Sequence, residues 1–295
     1  MSDVTAHHID AGELRAVAEE LASEAAAFVR RRRVQVFGPN ASDVGDSTVR
    51  SKSTRTDPVT IVDTETERLL RDRLADLRPG ESVLGEEGGG PATGSGDHSG
   101  SVTWVLDPID GTVNFVYAIP AYAVSVAAQV DGVSVAGAVA DVTGERVYSA
   151  ALGRGAHVVD QTGQRKPLQC NQLDDIALAL VGTGFGYAPD RRAAQAAVLQ
   201  GVLPAVRDVR RIGSAALDLC MVAAGQLDAH YEHGLHIWDW AAGALIAAEA
   251  GAVVHPPAAG DDALTVAAAP GIAAALLGLL ARLGAVETLP PRGSG

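Results

Sequence analysis

The chain has 295 residues, 47% of them hydrophobic, enough to bury a complete core without disulfides in one large domain or two closely packed halves. A formal charge of −13 argues against a non-specific nucleic-acid binder, which needs a basic surface. It also means that any anionic substrate has to be neutralised locally, most simply by metal.

The segment before residue 11 is polar and acidic, unlike a secretory leader, so a cytoplasmic protein is expected. Residues 11–34 place Leu14, Val17, Leu21, Ala25 and Phe28 at helical spacing. The run Arg30–Arg33 reads as the basic last turn of that helix, complementing its dipole. Residues 38–57, rich in Gly, Ser, Asp and Thr, read as loop. Val59–Val62 reads as a strand running into Asp63, with Thr64 and Glu67 as a capping box for a helix through Leu69, Leu70, Leu74 and Leu77. Val83-Leu84 is a short strand ending at Gly85-Glu86-Glu87, and the Gly/Ser-rich residues 88–101 read as a flexible surface insertion.

Trp104-Val105-Leu106-Asp107-Pro108-Ile109-Asp110-Gly111-Thr112 is the most informative stretch. A buried strand runs into two carboxylates and a hydroxyl, and Pro and Gly bend the backbone so that Asp107, Asp110 and Thr112 can face one point. Paired carboxylates on a rigid turn repel unless a cation lies between them, and all-oxygen ligands suit a hard ion such as Mg²⁺.

Downstream, Ala123–Val130 and Val133–Ala140 flank the hairpin dipeptide Asp131-Gly132, and Arg146–Ala150 and His157–Val159 extend an antiparallel sheet. Ile176–Thr183 is predicted as strand, residues 190–207 as helix, Ser214–Ala224 as helix, Asp228–Tyr231 as strand and Trp240–Ala250 as helix ending at Gly251. The uncharged stretch Ala263–Ala281 is cut by Pro270-Gly271 into a strand, Leu264–Ala267, and a helix, Ile272–Leu283, each too short to span a membrane. Cys170 and Cys220 lie in no metal-ligand spacing and are expected to be reduced and at least partly buried. Hairpins mixed with long helices indicate a layered α+β architecture.

Three more acids share the setting of the Asp107 motif, beside a strand end or a helix start: Asp63, Glu86, and Asp239 in Ile237-Trp238-Asp239-Trp240-Ala241-Ala242-Gly243. His230, His233 and His236 lack a metalloprotease-type spacing and read as surface or packing residues.

The elements GEE, WVLDPIDGTVNF and WDWAAG, in this order and spacing, resemble the inositol monophosphatase family, the Mg²⁺-dependent and lithium-sensitive sugar phosphatases, with a flavour of its SuhB-type members. The likeness runs from Lys52 to about Gly251. It implies an αβαβα sandwich of the inositol monophosphatase and fructose-1,6-bisphosphatase type, in one domain with halves at about 10–160 and 161–285 and a disordered tail at 286–295. It implies hydrolysis of inositol-1-phosphate with two or three Mg²⁺ ions, and Li⁺ as inhibitor. Glu86, Asp107 and the Ile109 carbonyl match the ligands of one metal; Asp107, Asp110 and Asp239 match those of a second, with Asp107 bridging.

By the same resemblance Asp63 and Thr112 orient the attacking water, Glu86 helps aim it, and Lys52 lies near the metals. Gly213, Ser214, Ala215 and Glu232 match positions that hold the inositol hydroxyls, while Asp110, Gly111, Thr112 and Asp239 line the phosphate. The alternatives are a related phosphatase acting on fructose-1,6-bisphosphate, histidinol phosphate, NADP or adenosine 3′,5′-bisphosphate, or a regulatory partner of the transcription machinery. A homodimer is expected, with no nucleic-acid or membrane partner. Two departures from the family pattern stand out: Val113 after Thr112, and the length of residues 88–101.

Overall fold

A computed structural model describes residues 10–38, 49–51, 58–90, 100–257 and 263–285 of the chain. The first half opens with helix α1 (Ala11–Phe37), strands β1 (Val49–Ser51) and β2 (Pro58–Thr60) and helix α2 (Ile61–Leu77). Strands β3 (Ser82–Gly85) and β4 (Val102–Asp110) follow, then the short helix α3 (Thr112–Tyr117) and strands β5 (Ala123–Val130), β6 (Val133–Asp141), β7 (Arg146–Ala151), β8 (Ala156–Val159) and β9 (Arg165–Pro167). The second half runs β10 (Leu180–Thr183), α4 (Pro189–Val202), β11 (Asp208–Arg210), α5 (Ala215–Ala223), β12 (Ala229–His233), α6 (Ile237–Glu249), β13 (Val253–His255), β14 (Leu264–Ala268) and α7 (Pro270–Arg282).

Strands β3 to β9 form a seven-stranded sheet in sequence order, antiparallel except for the β3–β4 pair. Strands β11-β10-β12-β14-β13 form a five-stranded mixed sheet. Four apolar clusters weld five layers together. Leu14, Leu21, Val29 and Leu70 of α1 and α2 pack on one face of the larger sheet with Trp104, Leu106 and Val126. Val105, Ala127 and Val139 on its other face meet α5 and α6 through Leu217, Cys220, Ala242 and Ile246. These two helices cover the smaller sheet through Leu219, Val222, Ala247 and Ala267. Its far face is closed by α4 and α7 through Val198, Val202, Ile272 and Leu276. The order helix, sheet, helix, sheet, helix is the expected αβαβα sandwich. Because α5 and α6 lie between two sheets they are apolar apart from Asp218, Asp239 and Glu249, and Gly243 lets them touch: a Cβ there would lie 2.9 Å from the Leu219 side chain.

Several local expectations change. Helix α1 continues to Phe37, so Arg30–Arg33 is not its last turn. The run is instead spent on packing: Arg30 donates to the Val142 carbonyl (3.0 Å), and Arg32 makes a bidentate pair with Glu65 (2.7 and 2.8 Å). Arg33 is buried between the Phe37 and Phe115 rings and donates to the Phe115 carbonyl (3.0 Å). Val49–Ser51 is a strand within the expected loop, pairing antiparallel with Pro58–Thr60. Ile176–Leu178 is a 3₁₀ turn and not strand, because the Asp175 side chain captures the Ala177 amide (2.9 Å). Pro204 lacks the amide that would continue α4, which gives way to a 3₁₀ turn at Leu203–Ala205.

The Asp131-Gly132 hairpin forms as expected, both residues at positive φ (51° and 78°). Ala263–Ala281 divides into β14 and α7, and among the described residues no helix is long and apolar enough to cross a membrane. Cys170 and Cys220 are free and buried. Lys52, most of the insertion at 88–101 and the tail at 286–295 lie outside the described residues.

Helix α1 is also pinned to the sheet electrostatically. Glu19 accepts hydrogen bonds from Ser149 (2.6 Å) on β7, His157 (2.8 Å) on β8 and Arg165 (2.8 Å) on β9. Burial pushes its carboxyl up, but the bonds from His157, Ser149 and Arg165 outweigh this and bring it down to about 2 from an ordinary 4.5. A carboxylate depressed on folding adds stability above its unfolded pKa and loses it as pH falls toward the folded value. Glu19→Gln is therefore expected to cost about 2 kcal/mol at pH 7. Urea denaturation from pH 7 to 3 should show the gap to wild type closing below about pH 4.5, whereas a pH-independent gap would remove the charge from the explanation.

Candidate metal-dependent active site

On a regular strand, residues three apart face opposite sides of the sheet. Asp107 pairs with Ser125 of β5, yet Asp110 pairs with Ala123, so one extra residue is accommodated on β4 between them. This bulge falls at Pro108-Ile109, where proline has no amide to give the ladder, and it turns both aspartates to one side. Asp107 is fixed by the Ile109 amide, which donates to its Oδ1 (3.0 Å). Gly111 then takes φ +95° and starts α3; a Cβ there would lie 3.0 Å from both the Ala121 and the Gly213 carbonyl oxygens. Only glycine fits that crossing of the two halves.

Asp110 is held from the second half. Ser214, the N-cap of α5, donates to its Oδ2 (2.6 Å), as does the Ala216 amide (2.7 Å). Burial pushes the Asp110 carboxyl up to about 6, against those bonds and the nearby charge of Arg211. Asp239 is the third residue of α6, where the His236 amide donates to its Oδ2 (2.6 Å). Burial, then the charges of Asp110 and Glu86, hold the Asp239 carboxyl well above the usual carboxylate range.

The outcome is that Asp107, Asp110 and Asp239 each bring an oxygen within 4.8 Å of the others. Glu86 stands at the end of β3, with its amide on the Leu106 carbonyl (3.3 Å); its charge reaches Asp239, although it lies outside that tight group.

Beside the carboxylates lies a hydroxyl. Thr112 Oγ1 is 3.1 Å from Asp63 Oδ1 and 3.0 Å from the Ile109 carbonyl oxygen. Asp63 is wholly buried and is itself the third residue of α2, its Oδ2 accepting from the Thr60 amide (2.9 Å). The capping box is thus Thr60–Asp63, one turn before the expected Thr64–Glu67.

Glu67 has a different task, which sequence reasoning missed. Its buried carboxylate accepts from the amides of Glu87 (2.7 Å) and Gly88 (2.8 Å) and from Arg71 (2.7 Å), shaping the turn that carries Glu86. A Cβ on Gly85 would lie 2.5 Å from that carboxylate. Glycines flanking an acidic pair were the available signal of a tight turn, but nothing pointed to a partner twenty residues upstream.

Asn114 was missed as well. Its amide nitrogen donates to the Ala121 carbonyl (2.7 Å) and to the Ile212 carbonyl (2.9 Å), tying α3 to the segment carrying Gly213, Ser214 and Ala215. Glu232 lies on β12, and its charge is felt by Asp239. A Cβ on Gly184 would collide with its carboxylate, so that glycine makes room for it. Of the three histidines read as surface or packing groups, His230 and His233 are buried. His236 is the N-cap of α6 and stacks on Trp238 at 4.6 Å.

Comparison with known proteins gives one answer. The model of the inositol monophosphatase family matches residues 10–286. The chain is 68% identical over 277 residues to an inositol-1-monophosphatase of Mycobacterium leprae, covering 92% of this chain and 95% of that one. It is 64% identical over 280 residues to the inositol-1-monophosphatase SuhB of Mycobacterium tuberculosis H37Rv, covering 94% and 96%. A solved structure of Mycobacterium tuberculosis SuhB superposes with a TM-score of 0.79 at 57% identity, over 95% of this chain and 100% of that one. With the αβαβα layers and the carboxylate cluster in place, the chain belongs to the inositol monophosphatase family of phosphatases.

Proposed function

We propose that the protein is a Mg²⁺-dependent phosphomonoesterase that hydrolyses inositol-1-phosphate to inositol and phosphate. The observation that carries this reading is the meeting of Asp107, Asp110 and Asp239 beside the hydrogen-bonded pair Thr112–Asp63. The donor set fits Mg²⁺, being all carboxylate and largely buried, with no sulfur or imidazole among the three. In this reading Glu86, Asp107 and the Ile109 carbonyl hold one ion and Asp107, Asp110 and Asp239 a second, with Lys52 nearby. Bound there, Mg²⁺ neutralises the phosphoryl group and makes water easier to deprotonate.

The chain's own groups then set the geometry. Thr112 Oγ1 donates to Asp63 and keeps a lone pair for the attacking water, which Glu86 helps to aim. As the water oxygen bonds to phosphorus and the ester P–O bond breaks, a proton passes through Thr112 Oγ1 to Asp63, and the inositol oxygen takes one from solvent. The backbone amides of Gly111 and Thr112 serve the phosphate oxygens. Glu232 accepts hydrogen bonds from the polyol hydroxyls, with the backbone of Gly213, Ser214 and Ala215 alongside; the Ser214 hydroxyl itself is engaged by Asp110. Lithium inhibition, a single catalytic domain and a cytoplasmic homodimer belong to the same proposal.

Asp107→Asn keeps the shape but removes the shared charge, so phosphate release from inositol-1-phosphate with Mg²⁺ should fall by about 10³-fold or more. A regulatory scaffold without catalysis would be indifferent to that change. Glu232→Gln should raise KM for inositol-1-phosphate by about tenfold with kcat nearly kept, as for a contact made equally in ground and transition states. In a panel of phosphate esters, a large preference for histidinol phosphate or adenosine 3′,5′-bisphosphate would defeat the inositol assignment while leaving the phosphatase chemistry intact.

A further inference from the structure

A second cluster lies between α5 and the smaller sheet, close enough to the three aspartates for the charge of Asp110 to act on Asp218 and that of Glu232 on Asp239. Asp218 of α5 and His230 and Glu232 of β12 each bring one ligand atom within 4.8 Å of the others. His230 is completely buried and Asp218 is 1% exposed. Asp218 Oδ2 is 3.6 Å from His230 Nδ1, and Glu232 Oε2 is 3.7 Å from His230 Nε2. Both gaps exceed the roughly 2.7–3.2 Å of a hydrogen bond. Both ring nitrogens of His230, and Asp218 Oδ1, have no hydrogen-bond partner among the described residues.

An unsatisfied polar atom in the interior costs about 1–3 kcal/mol, and a cation on one His230 nitrogen and on Asp218 would relieve two of these three. The backbone also makes room at this spot. Gly182 pairs with His230 across β10 and β12, and a Cβ on it would lie 3.1 Å from Asp218 Oδ1 and 3.2 Å from His230 Nδ1.

The two carboxylates stand off different ring nitrogens, so one cation would take a single His230 nitrogen together with one oxygen each from Asp218 and Glu232, atoms that lie within 4.8 Å of one another. Ligand atoms placed about 2.0–2.2 Å from a tetrahedral Zn²⁺ lie a little over 3 Å from one another, so modest side-chain rotation closes the shell. The imidazole decides the type of ion. Mg²⁺ prefers all-oxygen surroundings, which the three aspartates offer, whereas nitrogen with carboxylate suits Zn²⁺ and its neighbours.

We propose that Asp218, His230 and Glu232 form a second metal site, selective for a borderline transition cation such as Zn²⁺ and sharing no ligand with the Asp107–Asp110–Asp239 site, although Glu232 borders the polyol site of the proposed function. With three protein ligands it keeps an open position for water. The claim concerns binding and stands whether or not the substrate is inositol-1-phosphate.

The test holds the purified full-length protein in excess Mg²⁺ and titrates it with Co²⁺, a spectroscopic substitute for Zn²⁺. A visible d–d absorption band should saturate near about one equivalent and disappear when Zn²⁺ is added. H230Q, and independently E232Q at a partly exposed position, should each weaken Co²⁺ binding by about tenfold or more. D107N should leave the band in place. The absence of a saturable band in the wild type overturns the proposal, as does a band unweakened in both H230Q and E232Q. A band lost in D107N and kept in H230Q overturns it too, since the cation would then sit among the three aspartates.

Discussion

Like charge held in a small space is the constraint on which the rest of the structure depends. Three carboxylates with oxygens within 4.8 Å of one another repel by about 3 kcal/mol per pair if the local dielectric resembles a protein surface, and by more inside. A fold keeps such an arrangement only by holding each group from outside. Here one oxygen of each acid is fixed by a backbone amide: Ile109 for Asp107, Ala216 for Asp110 and His236 for Asp239. These anchors come from a bulge and from two helix starts, places where amides are spare because no ladder or helical partner claims them. A cation placed among them would relieve the repulsion itself.

The three acids also come from both halves of the molecule. Asp107 and Asp110 belong to the larger sheet, Asp239 to a helix between the sheets, and the group holding Asp110 to the helix beside it. Asn114 bridges α3 to the Ile212 carbonyl, and Ser125 of β5 donates to the Trp238 carbonyl (3.2 Å). The small residues of α5 and α6 have a role here. Their close packing between two sheets brings helix starts and strand end to one point, and larger side chains on the shared face would push them apart.

Much of this was legible in the sequence because the relevant signals are local. DPIDGT carries its own bulge and turn, the Asp131-Gly132 hairpin its own φ signs, and Trp238-Asp239 its own helix start. What stayed hidden depended on partners distant in the chain. Thr60 and Thr64 each stand three residues before an acid, so the pattern allowed two capping boxes; burial of Val62 and Asp63 selects the earlier one, and Glu67 is released to the Gly85–Gly88 turn. Arg30–Arg33 looked like a helix end because a basic last turn complements the helix dipole, yet Phe37 and Phe115 supply an aromatic slot for Arg33. His230 looked like packing because Asp218 reaches it from a different element.

The central claim, that the aspartate cluster is built to hold divalent cation, is tested most directly by thermal unfolding with Mg²⁺ and with chelator. Ligand that binds only the folded state raises its stability with concentration. Wild-type Tm should rise saturably with Mg²⁺ by several degrees. D239N, relieved of one charge, should start at or above the chelated wild type and gain little from Mg²⁺. A wild-type Tm indifferent to Mg²⁺, or an equal Mg²⁺ gain in D239N, would contradict the account.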